Sequence, residues 1–384
     1  MNRNDILRDT YLEVNLDALE HNINEIKKTI GKEVEISAVI KSDGYGYGAT
    51  GIAKTLHNLR IKYLSVANLL EAVELKNINP EYRVMIMGHT PDYYLETAVK
   101  YNVTLTVFSY NQAKLLSEIG EKFNKTITIH IKYDTGFNRL GFKYGKESIQ
   151  EISKIFKLNN LYIEGVFSHL ALNSYEDDLE QLKRFKYLIN YFKKINLYLK
   201  YYHICDSISG IDYPNFRLDM IRPGAAIYGL KSFKNKNITL KNIGTFKTKI
   251  SNIKTLSEGE GVSYDYTWIA KKETKTATVP FGYGDGYPRS MFGKGEVTVD
   301  GIRCPIIGVL CMDQCIIDVS SIRNPYVGQE VIIWSDGSNN TVSIQELSDK
   351  SGTNKNEIVS RITRRVPRVY MKNGEISSVL NYLL

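Results

Sequence analysis

The stretch "AVIKSDGYGYGA", residues 38–49, joins an apolar run to a lysine and then to a loop with three glycines. Residues 38–40 read as the end of a buried strand, because short apolar and β-branched runs are typical of strands in parallel sheets. Lys41 therefore stands at the carboxyl end of that strand, and the glycines behind it give the loop unusual backbone freedom. This arrangement indicates a functional lysine at the mouth of a parallel β structure.

Similar apolar runs recur along the first part of the chain, eight in all, and longer amphipathic stretches separate them. The runs are "EISAVI" (35–40), "YLSVA" (62–66), "VMIMG" (84–88), "TLTVF" (104–108), "TITIHIK" (126–132), "LYIEGVFS" (161–168), "YYHI" (201–204) and "DMIR" (219–222). The clearest helical pattern lies at 176–195, where apolar residues recur at spacings of three and four. The count of eight predicts a parallel (β/α)8 barrel, although a doubly wound open sheet gives a similar pattern.

The pattern changes after a polar connector at residues 230–242, where strands follow one another without intervening helices. Asp300 and Gly301 predict a tight hairpin turn, and helices are expected to begin near "SIQE" (343–346) and within "NKNEIVSRI" (354–362). The predicted architecture is thus α/β, a (β/α)8 barrel over residues 1–240 followed by a mainly β C-terminal domain over residues 241–384.

Composition argues against several classes of function. The 384 residues carry a formal charge of +8, but the lysines are scattered rather than gathered into a basic arm, so no nucleic-acid partner is expected. The four cysteines show no C-x-x-C spacing, which predicts no metal site and favours a reducing, cytoplasmic setting. No apolar run reaches the length of about 18 residues that a membrane span needs, so no membrane partner is expected either.

Charged and polar side chains follow several of the predicted strands. They are Lys41, Lys132, Asp134, Arg139, His169, His203, Asp206, Ser207 and Arg222. In a parallel barrel the carboxyl ends of all strands meet at one face, where functional groups stand. Desolvation lowers the pKa of a lysine at the inner end of a buried strand, so Lys41 is a candidate amine for a covalent bond to a carbonyl group. A salt-bridged structural lysine is the alternative.

Three of these strand ends offer groups that bind phosphate. The glycines of "GYGYG" let the backbone approach an anion closely, and the Tyr45 hydroxyl can donate to a phosphate oxygen. "DSIS" adds the hydroxyl of Ser207, and "RPGAA" adds backbone amides after Gly224. Each signal is weak alone, but together they predict a phosphate-bearing cofactor beside Lys41.

Eight sequence blocks resemble the motifs of the alanine racemase family, in that family's order. They are "AVIKSDGYGYG", "IKYDTGFNRLGF", "GVFSHLA", "HICDS", "DMIRPGAAIYG", "GVSYDYT", "PFGYGDG" and "GVLCMDQC". The resemblance uses both predicted domains. It implies a pyridoxal 5'-phosphate (PLP)-dependent isomerase that interconverts L- and D-alanine and supplies D-alanine for peptidoglycan.

The resemblance also implies which residues hold the cofactor. Lys41 would bind it covalently, and the phosphate would lie against Tyr45, Ser207 and the amides near Gly224. Arg222 would face the pyridine nitrogen, with His169 behind it. Because an arginine does not give up its proton, the ring nitrogen would stay largely unprotonated, which disfavours fully delocalised carbanions.

Racemisation requires removal of the α-proton from one face and its return from the other, which two bases achieve most directly. By resemblance, Lys41 serves one face and Tyr264 the other. In the family that tyrosine comes from the second subunit, so a head-to-tail homodimer is implied. Arg139 and the amide of Met312 would hold the carboxylate of the small amino-acid substrate.

Lys132, in "IKYDTG", matches a lysine that is often carbamylated in the family, and a carbamate there would orient Arg139. An ordinary ion pair with Asp134 is the alternative. Arg364, in "ITRRVPRVY", is a departure, since it stands where the resemblance places a tyrosine beside the substrate side chain. A cation there predicts relaxed specificity towards serine, as in the racemases of vancomycin-type resistance, so a serine or dual serine/alanine racemase is an alternative.

Two further alternatives come from other functional classes. A PLP carrier or homeostasis protein shares the barrel and the lysine, but it would be a single domain. A related amino-acid decarboxylase also joins a barrel to a β domain, but there the ring nitrogen normally faces a glutamate. Arg222 therefore speaks against the decarboxylase.

Overall fold

The computed structural model describes residues 6–230 and 232–384, and all structural statements concern these residues. The strands, in chain order, are β1 (Tyr11–Asn15), β2 (Glu35–Val39), β3 (Tyr63–Val66), β4 (Val84–Ile86), β5 (Leu105–Val107), β6 (Ile127–Asp134), β7 (Phe142–Lys143), β8 (Leu161–Phe167), β9 (Tyr201–His203), β10 (Met220–Ile221), β11 (Gly244–Lys249), β12 (Asn252–Leu256), β13 (Gly261–Val262), β14 (Trp268–Ile269), β15 (Thr274–Val279), β16 (Glu296–Val299), β17 (Ile302–Ile307), β18 (Cys315–Asp318), β19 (Glu330–Trp334), β20 (Arg368–Lys372) and β21 (Glu375–Leu380).

The helical segments are α1 (Leu16–Ile30), α2 (Lys41–Tyr45, a single left-handed turn), α3 (Ala49–Asn58), α4 (Leu69–Ile78), α5 (Leu95–Lys100), α6 (Tyr110–Phe123), α7 (Lys146–Ile155), α8 (Tyr175–Lys194), α9 (Ser207–Asp212), α10 (Ile344–Ser351) and α11 (Lys355–Ser360). Short 3-10 turns lie at Asp92–Tyr94, Pro214–Phe216, Ala225–Tyr228, Tyr264–Tyr266, Tyr283–Asp285, Arg289–Met291 and Ser338–Asn340. Within the described part of the chain, no helix is long and apolar enough to cross a lipid bilayer.

Eight parallel strands close into a barrel, one for each of the predicted apolar runs. Hydrogen bonds link β10, β2, β3 and β4 in one series, and β5, β6, β8 and β9 in another. A parallel bridge between Met85 and Thr104 joins β4 to β5, and the Asp219 amide donates to the Tyr202 carbonyl at 3.1 Å between β9 and β10. The two series therefore form one closed barrel, which confirms the (β/α)8 prediction and excludes the open sheet.

Helix α8 shows how the amphipathic stretches cover the barrel. Ser174 caps it by accepting the Asp177 amide through its side chain. Leu182, Phe185 and Phe192 are buried on its inner face, as the periodicity predicts. Each buried side chain of this size contributes about 2 kcal/mol through the hydrophobic effect.

The second domain is built on a ten-stranded sheet with the order β12-β15-β18-β17-β16-β19-β11-β1-β20-β21. Strand β1 lies inside this sheet, third from the β21 edge, antiparallel to β11 and parallel to β20, although it comes from the first residues that the structure describes. The domain boundary predicted between residues 240 and 241 stays a prediction. We propose that β1, although it lies before that boundary, belongs to the β domain. The sequence did not show that β1 belongs to the second domain, because its pairing partners lie more than 200 residues further along the chain.

The local signals of the second domain correspond to turns and caps. Asp300 and Gly301, with φ of 50° and 75°, form the predicted hairpin turn between β16 and β17. Ser343 caps α10 by accepting the Glu346 amide at 3.0 Å. The Glu346 carboxylate does not complete a capping box; it binds Arg303 at 2.9 Å instead, which pins α10 to β17.

The turn that follows Lys41 is left-handed and rests on the second domain. Ser42, Asp43 and Tyr45 all have φ between 51° and 57°, a conformation that costs roughly 1 kcal/mol or more for each non-glycine residue. Contacts compensate for this cost. The buried Arg368 guanidinium donates to the Gly46 carbonyl at 2.9 Å, and the Asp43 carboxylate accepts the Ala49 amide at 2.8 Å.

Two further contacts join the second domain to the same turn. A Cβ at Gly46 would lie 2.1 Å from the Val359 carbonyl oxygen of α11, so only glycine fits there. The Tyr382 hydroxyl, near the end of the chain, donates to the Asp43 carboxylate. The second domain thus fixes the backbone that carries Lys41.

We predict that Gly46→Ala destabilises the protein far more than Gly352→Ala. Both glycines lie in the left-handed region, with φ and ψ of 83° and −3° at Gly46 and of 73° and 33° at Gly352, so both variants bear a similar backbone strain of about 1 kcal/mol. A methyl group added at Gly352 would meet no atom within 4 Å, whereas one added at Gly46 would meet a backbone carbonyl. Chemical denaturation should therefore show at least about 2 kcal/mol more destabilisation for Gly46→Ala. Equal losses in the two variants would refute close packing of α11 on this turn.

Candidate active site

A cavity of about 580 Å³ opens at the carboxyl ends of the barrel strands, within the usual size range of ligand sites. Nine of the residues singled out in the sequence line it: Lys41, Tyr45, Lys132, Arg139, His169, Asp206, Ser207, Arg222 and Gly224. Nearly all of the lining comes from the barrel, but Asn356 of α11 also belongs to the wall. The predicted convergence of the strand ends is therefore present in the structure.

Lys41 lies directly behind β2 and half-buried in this cavity. Desolvation lowers its pKa, the positive charge of Arg139 lowers it further, and Glu71 partly opposes the shift. The Glu71 carboxylate accepts the Ser42 amide and the Ala67 amide, both at 2.7 Å, and so ties the ends of β2 and β3 together. The arrangement holds an amine that is more readily neutral than a surface lysine.

The hydroxyl groups of Tyr45 and Ser207 meet at Gly224. A Cβ at Gly224 would lie 2.4 Å from the Tyr45 hydroxyl oxygen, so the glycine makes room for that ring. The Gly224 amide, predicted to reach a phosphate directly, donates to Ser207 Oγ at 2.9 Å, and the Ala226 amide does so at 3.2 Å. Because Ser207 Oγ accepts both amides, its own proton is left for an anion.

Tyr45 keeps its proton as well, since burial raises its pKa to about 12. Two hydroxyl donors and a glycine that clears space between them suit a phosphate group. The residues present therefore fit a phosphate-bearing cofactor.

Arg222 is buried, and several acceptors hold its guanidinium. Nη1 donates to His203 Nδ1 at 2.7 Å, and Nη2 donates to the Ser168 carbonyl at 2.7 Å and the Ile204 carbonyl at 3.2 Å. His169, predicted to stand behind the arginine, lies further away, with 3.5 Å between Nδ1 and Nη2. His203, to which the sequence assigned no role, is the closer imidazole.

The charge of Arg222 survives this burial. Desolvation lowers its pKa to about 10, so it stays protonated at neutral pH. Burial and the nearby Arg222 charge together lower the pKa of His169 to about 2, so that imidazole is neutral. Arg222 Nε has no hydrogen-bond acceptor in the parts of the chain that are described, which suits the unprotonated ring nitrogen of a pyridine.

Lys132 is buried, with Nζ 4.9 Å from the centre of the Phe167 ring. Desolvation and the charge of Arg222 lower its pKa to about 7. Its expected alternative partner, Asp134, accepts the Gly136 amide at 2.9 Å and the Asn138 amide at 3.2 Å. In residues 6–230 and 232–384 no ion pair joins Lys132 to Asp134.

Three predicted residues do not reach the cavity of their own chain. Tyr264 and Met312 lie on the second domain and are 67% and 52% exposed. The Arg364 guanidinium lies over the Tyr382 ring at 5.3 Å and is absent from the cavity wall, where Asn356 stands. Asn356 was missed because nothing in its own sequence neighbourhood marks it; only the packing of α11 against the barrel brings it to the site.

The fold and the cavity define a class of protein: a barrel enzyme that holds a phosphate-bearing cofactor beside a partly neutral lysine and an arginine. Comparison with known proteins narrows the class. The alanine racemase N-terminal domain matches residues 14–232, and the alanine racemase C-terminal domain matches residues 243–370.

Full-length relatives show the same similarity. An alanine racemase of Clostridium tetani is 40% identical over 98% of this chain and 99% of its own. Alanine racemase 1 of Clostridium acetobutylicum is 38% identical with the same coverage. Among solved structures, alanine racemase of Clostridium difficile 630 superposes with a TM-score of 0.94, at 32% identity over 99% of this chain and 100% of that one. Alanine racemase of Bacillus anthracis with bound L-Ala-P gives 0.90, at 30% identity and 98% coverage of both.

The chain belongs to the alanine racemase family. It is accordingly a PLP-dependent isomerase that acts on a small amino acid, with the interconversion of L- and D-alanine as its reaction. Matches that span both domains exclude the single-domain carrier, and family membership excludes the decarboxylase.

Proposed function

We propose that this enzyme racemises alanine with two bases, Lys41 of one subunit and Tyr264 of the partner subunit, in a head-to-tail homodimer. One observation carries the proposal: the cavity holds the first base, while the second is two-thirds exposed and outside the cavity of its own chain. A site that needs both bases is incomplete in a single chain. The cytoplasmic setting and the supply of D-alanine for peptidoglycan stay predictions.

Each residue of the cavity has a role in this proposal. When bound, pyridoxal phosphate supplies the electron-withdrawing group that acidifies the α-proton of the amino acid. Lys41 anchors the cofactor and, with its lowered pKa, takes or returns that proton on one face. Tyr45 and Ser207 would bind the phosphate. Arg222 would face the ring nitrogen and keep its own proton, and Arg139 would bind the substrate carboxylate.

The surface around Tyr264 supports a second copy of the chain as its cover. The Ser263 hydroxyl donates to the Val309 carbonyl at 2.7 Å, which ties the Tyr264 turn to the loop that carries Met312. Tyr266 and Ile269, beside Tyr264, are 68% and 54% exposed. Clustered exposed apolar groups of this kind mark interaction sites. A head-to-tail arrangement would place this surface over the partner's cavity and bring Met312 to the substrate carboxylate.

Mixing two inactive variants tests the shared site. We expect Lys41→Ala and Tyr264→Phe each to lose at least about 100-fold in kcat for alanine. After subunits of the two are exchanged, about a quarter of wild-type activity should return, because half of the dimers are hybrids and each hybrid has one intact site. The assay is chiral analysis of product from L-alanine, with each variant alone as the control. If no activity returns although hybrids form, Tyr264 does not act across subunits.

We also propose that Lys132 is carbamylated. A buried amine with a pKa of about 7 and no ion pair to Asp134 is largely neutral at pH 8, and only a neutral amine adds to carbon dioxide. The carbamate would be an anion between the cations Arg222 and Arg139, whose charges both lower the pKa of Lys132. Carbamylation would thus replace the positive charge of the Lys132 ammonium, which Arg222 and Arg139 repel, by a negative charge that they attract.

Carbon-13 NMR in labelled bicarbonate tests this proposal. We expect one carbamate signal at pH 8 that is absent from a Lys132→Gln variant. The signal should decrease as the pH falls below about 7, because the free amine is then increasingly protonated. An exposed lysine, with a pKa of about 10.4, would give no such signal at pH 8. A spectrum without the signal at pH 8 would leave Lys132 as a free amine.

A second candidate function, racemisation of serine as well as alanine, gains support from one observation. Asn356 belongs to the cavity wall, whereas Arg364 does not. An amide can donate to and accept from a substrate hydroxyl. We therefore propose that Asn356, rather than Arg364, affects the specificity for serine.

Paired substitutions separate the two positions. We expect Asn356→Leu, which keeps the approximate size but removes the hydrogen-bonding groups, to lower the serine-to-alanine ratio of kcat/KM at least about tenfold. Arg364→Tyr, the matched control, should leave that ratio within about twofold. A ratio that follows Arg364 and ignores Asn356 would reverse the assignment.

A further inference from the structure

A line of buried polar side chains runs from Arg222 through the interior of the barrel, away from the cavity. Arg222 Nη1 lies 2.7 Å from His203 Nδ1, and His203 Nε2 lies 2.8 Å from His130 Nδ1. His130 Nε2 lies 3.6 Å from Glu164 Oε2. The two imidazoles are fully buried and the carboxylate nearly so.

Only one proton arrangement is compatible with these contacts. An arginine has donors and no acceptor, so His203 Nδ1 must accept and the proton of His203 must lie on Nε2. That proton is donated to His130 Nδ1, which must therefore be unprotonated. The single proton of His130 then lies on Nε2, on the side of Glu164. Both imidazoles are neutral, in agreement with burial, which lowers the pKa of each.

The far end of the line is a carboxylate held in its charged form. The Tyr63 hydroxyl donates to Glu164 at 2.5 Å, Arg83 at 2.9 Å and Lys200 at 3.2 Å. These hydrogen bonds and the Arg83 charge outweigh burial and lower the pKa of Glu164. His130 Nε2 has no hydrogen-bond acceptor in the described residues, and the Glu164 carboxylate, 3.6 Å away, acts on its proton through its negative charge.

We infer that Glu164 is a positioning residue for Arg222, which it reaches through His130 and His203. Its negative charge favours the Nε2–H tautomer of His130, which in turn favours the Nε2–H tautomer of His203. That tautomer presents the Nδ1 lone pair on which the Arg222 guanidinium is aligned. The inference rests on the proposed role of Arg222 at the ring nitrogen of the cofactor.

A neutral amide in place of the carboxylate would favour the opposite order of protons, in competition with Arg222. The side-chain amide of Glu164→Gln can donate to His130 Nε2, and the His130 proton would then move to Nδ1. His203 Nε2 would have to accept it, and the proton of His203 would move to Nδ1, where it opposes the Arg222 N–H. The glutamine keeps the shape of the glutamate side chain, but it removes the negative charge and adds an N–H donor group.

The test compares the holoenzyme with Glu164→Gln and, as the matched control, Tyr63→Phe, which removes a buried hydrogen bond to the same carboxylate but keeps its charge. Nitrogen-15 NMR of labelled histidine reports the tautomers, and kcat and KM for L-alanine report the effect on the reaction. In the wild type and in Tyr63→Phe, His130 and His203 should both be Nε2–H. In Glu164→Gln the Nδ1–H form should appear, kcat should fall about tenfold, and KM should change less than about twofold.

The wild-type spectrum tests the first step even if Glu164→Gln does not fold, because an Nδ1–H tautomer at His203 would overturn the inference. Unchanged tautomers or an unchanged kcat in Glu164→Gln would also overturn it. The same loss of kcat in Tyr63→Phe would show a general effect of core damage and would overturn it too. Failure of the proposed function looks different, since subunit exchange between Lys41→Ala and Tyr264→Phe would then restore no activity.

Discussion

Four cationic side chains share one cavity, and the rest of the site depends on this accumulation of positive charge. Burial and mutual repulsion lower the pKa of Lys41, Lys132 and Arg222, with Arg139 contributing to each shift. Charges that are taken out of water must be compensated by partners. The cavity is consequently suited to anions, and a cofactor phosphate, a substrate carboxylate and a carbamate on Lys132 would each balance part of the charge.

The need to hold Lys41 within this cavity also explains why the barrel depends on the second domain. A lysine with a lowered pKa is useful only if its amine is held at one place, and the turn behind Lys41 adopts a left-handed conformation that its own residues do not favour. Arg368, Tyr382 and the backbone of α11 supply the contacts that hold it. The second domain therefore stabilises the turn behind Lys41 of its own chain as well as presenting Tyr264 outward.

Local patterns in the sequence predicted the barrel, because each strand is a short apolar run and each helix has its own periodicity. The site followed in part from the same logic, since the strand ends of a parallel barrel meet at one face; Lys41, Ser207 and Arg222 were found in this way. Local patterns did not show which of two candidate side chains lies closer to a given site residue. His169 and His203 both end a strand, and only the structure shows that the second is the nearer to Arg222. Asn356 and strand β1 owe their positions to contacts with distant parts of the chain, for which no local pattern exists.

The position of β1 has a consequence for how the protein is made. Its neighbour β20 lies at residues 368–372, so β1 must wait for a strand that is synthesised about 350 residues later before the two can pair. Contacts of such high sequence separation slow folding, and chains generally fold from the amino end during synthesis. The barrel strands can associate while translation continues, whereas the turn behind Lys41 receives Arg368 and Tyr382 only after the second domain has been synthesised. A nascent chain that still lacks the second domain would thus carry a barrel in which the turn behind Lys41 is not yet held in place.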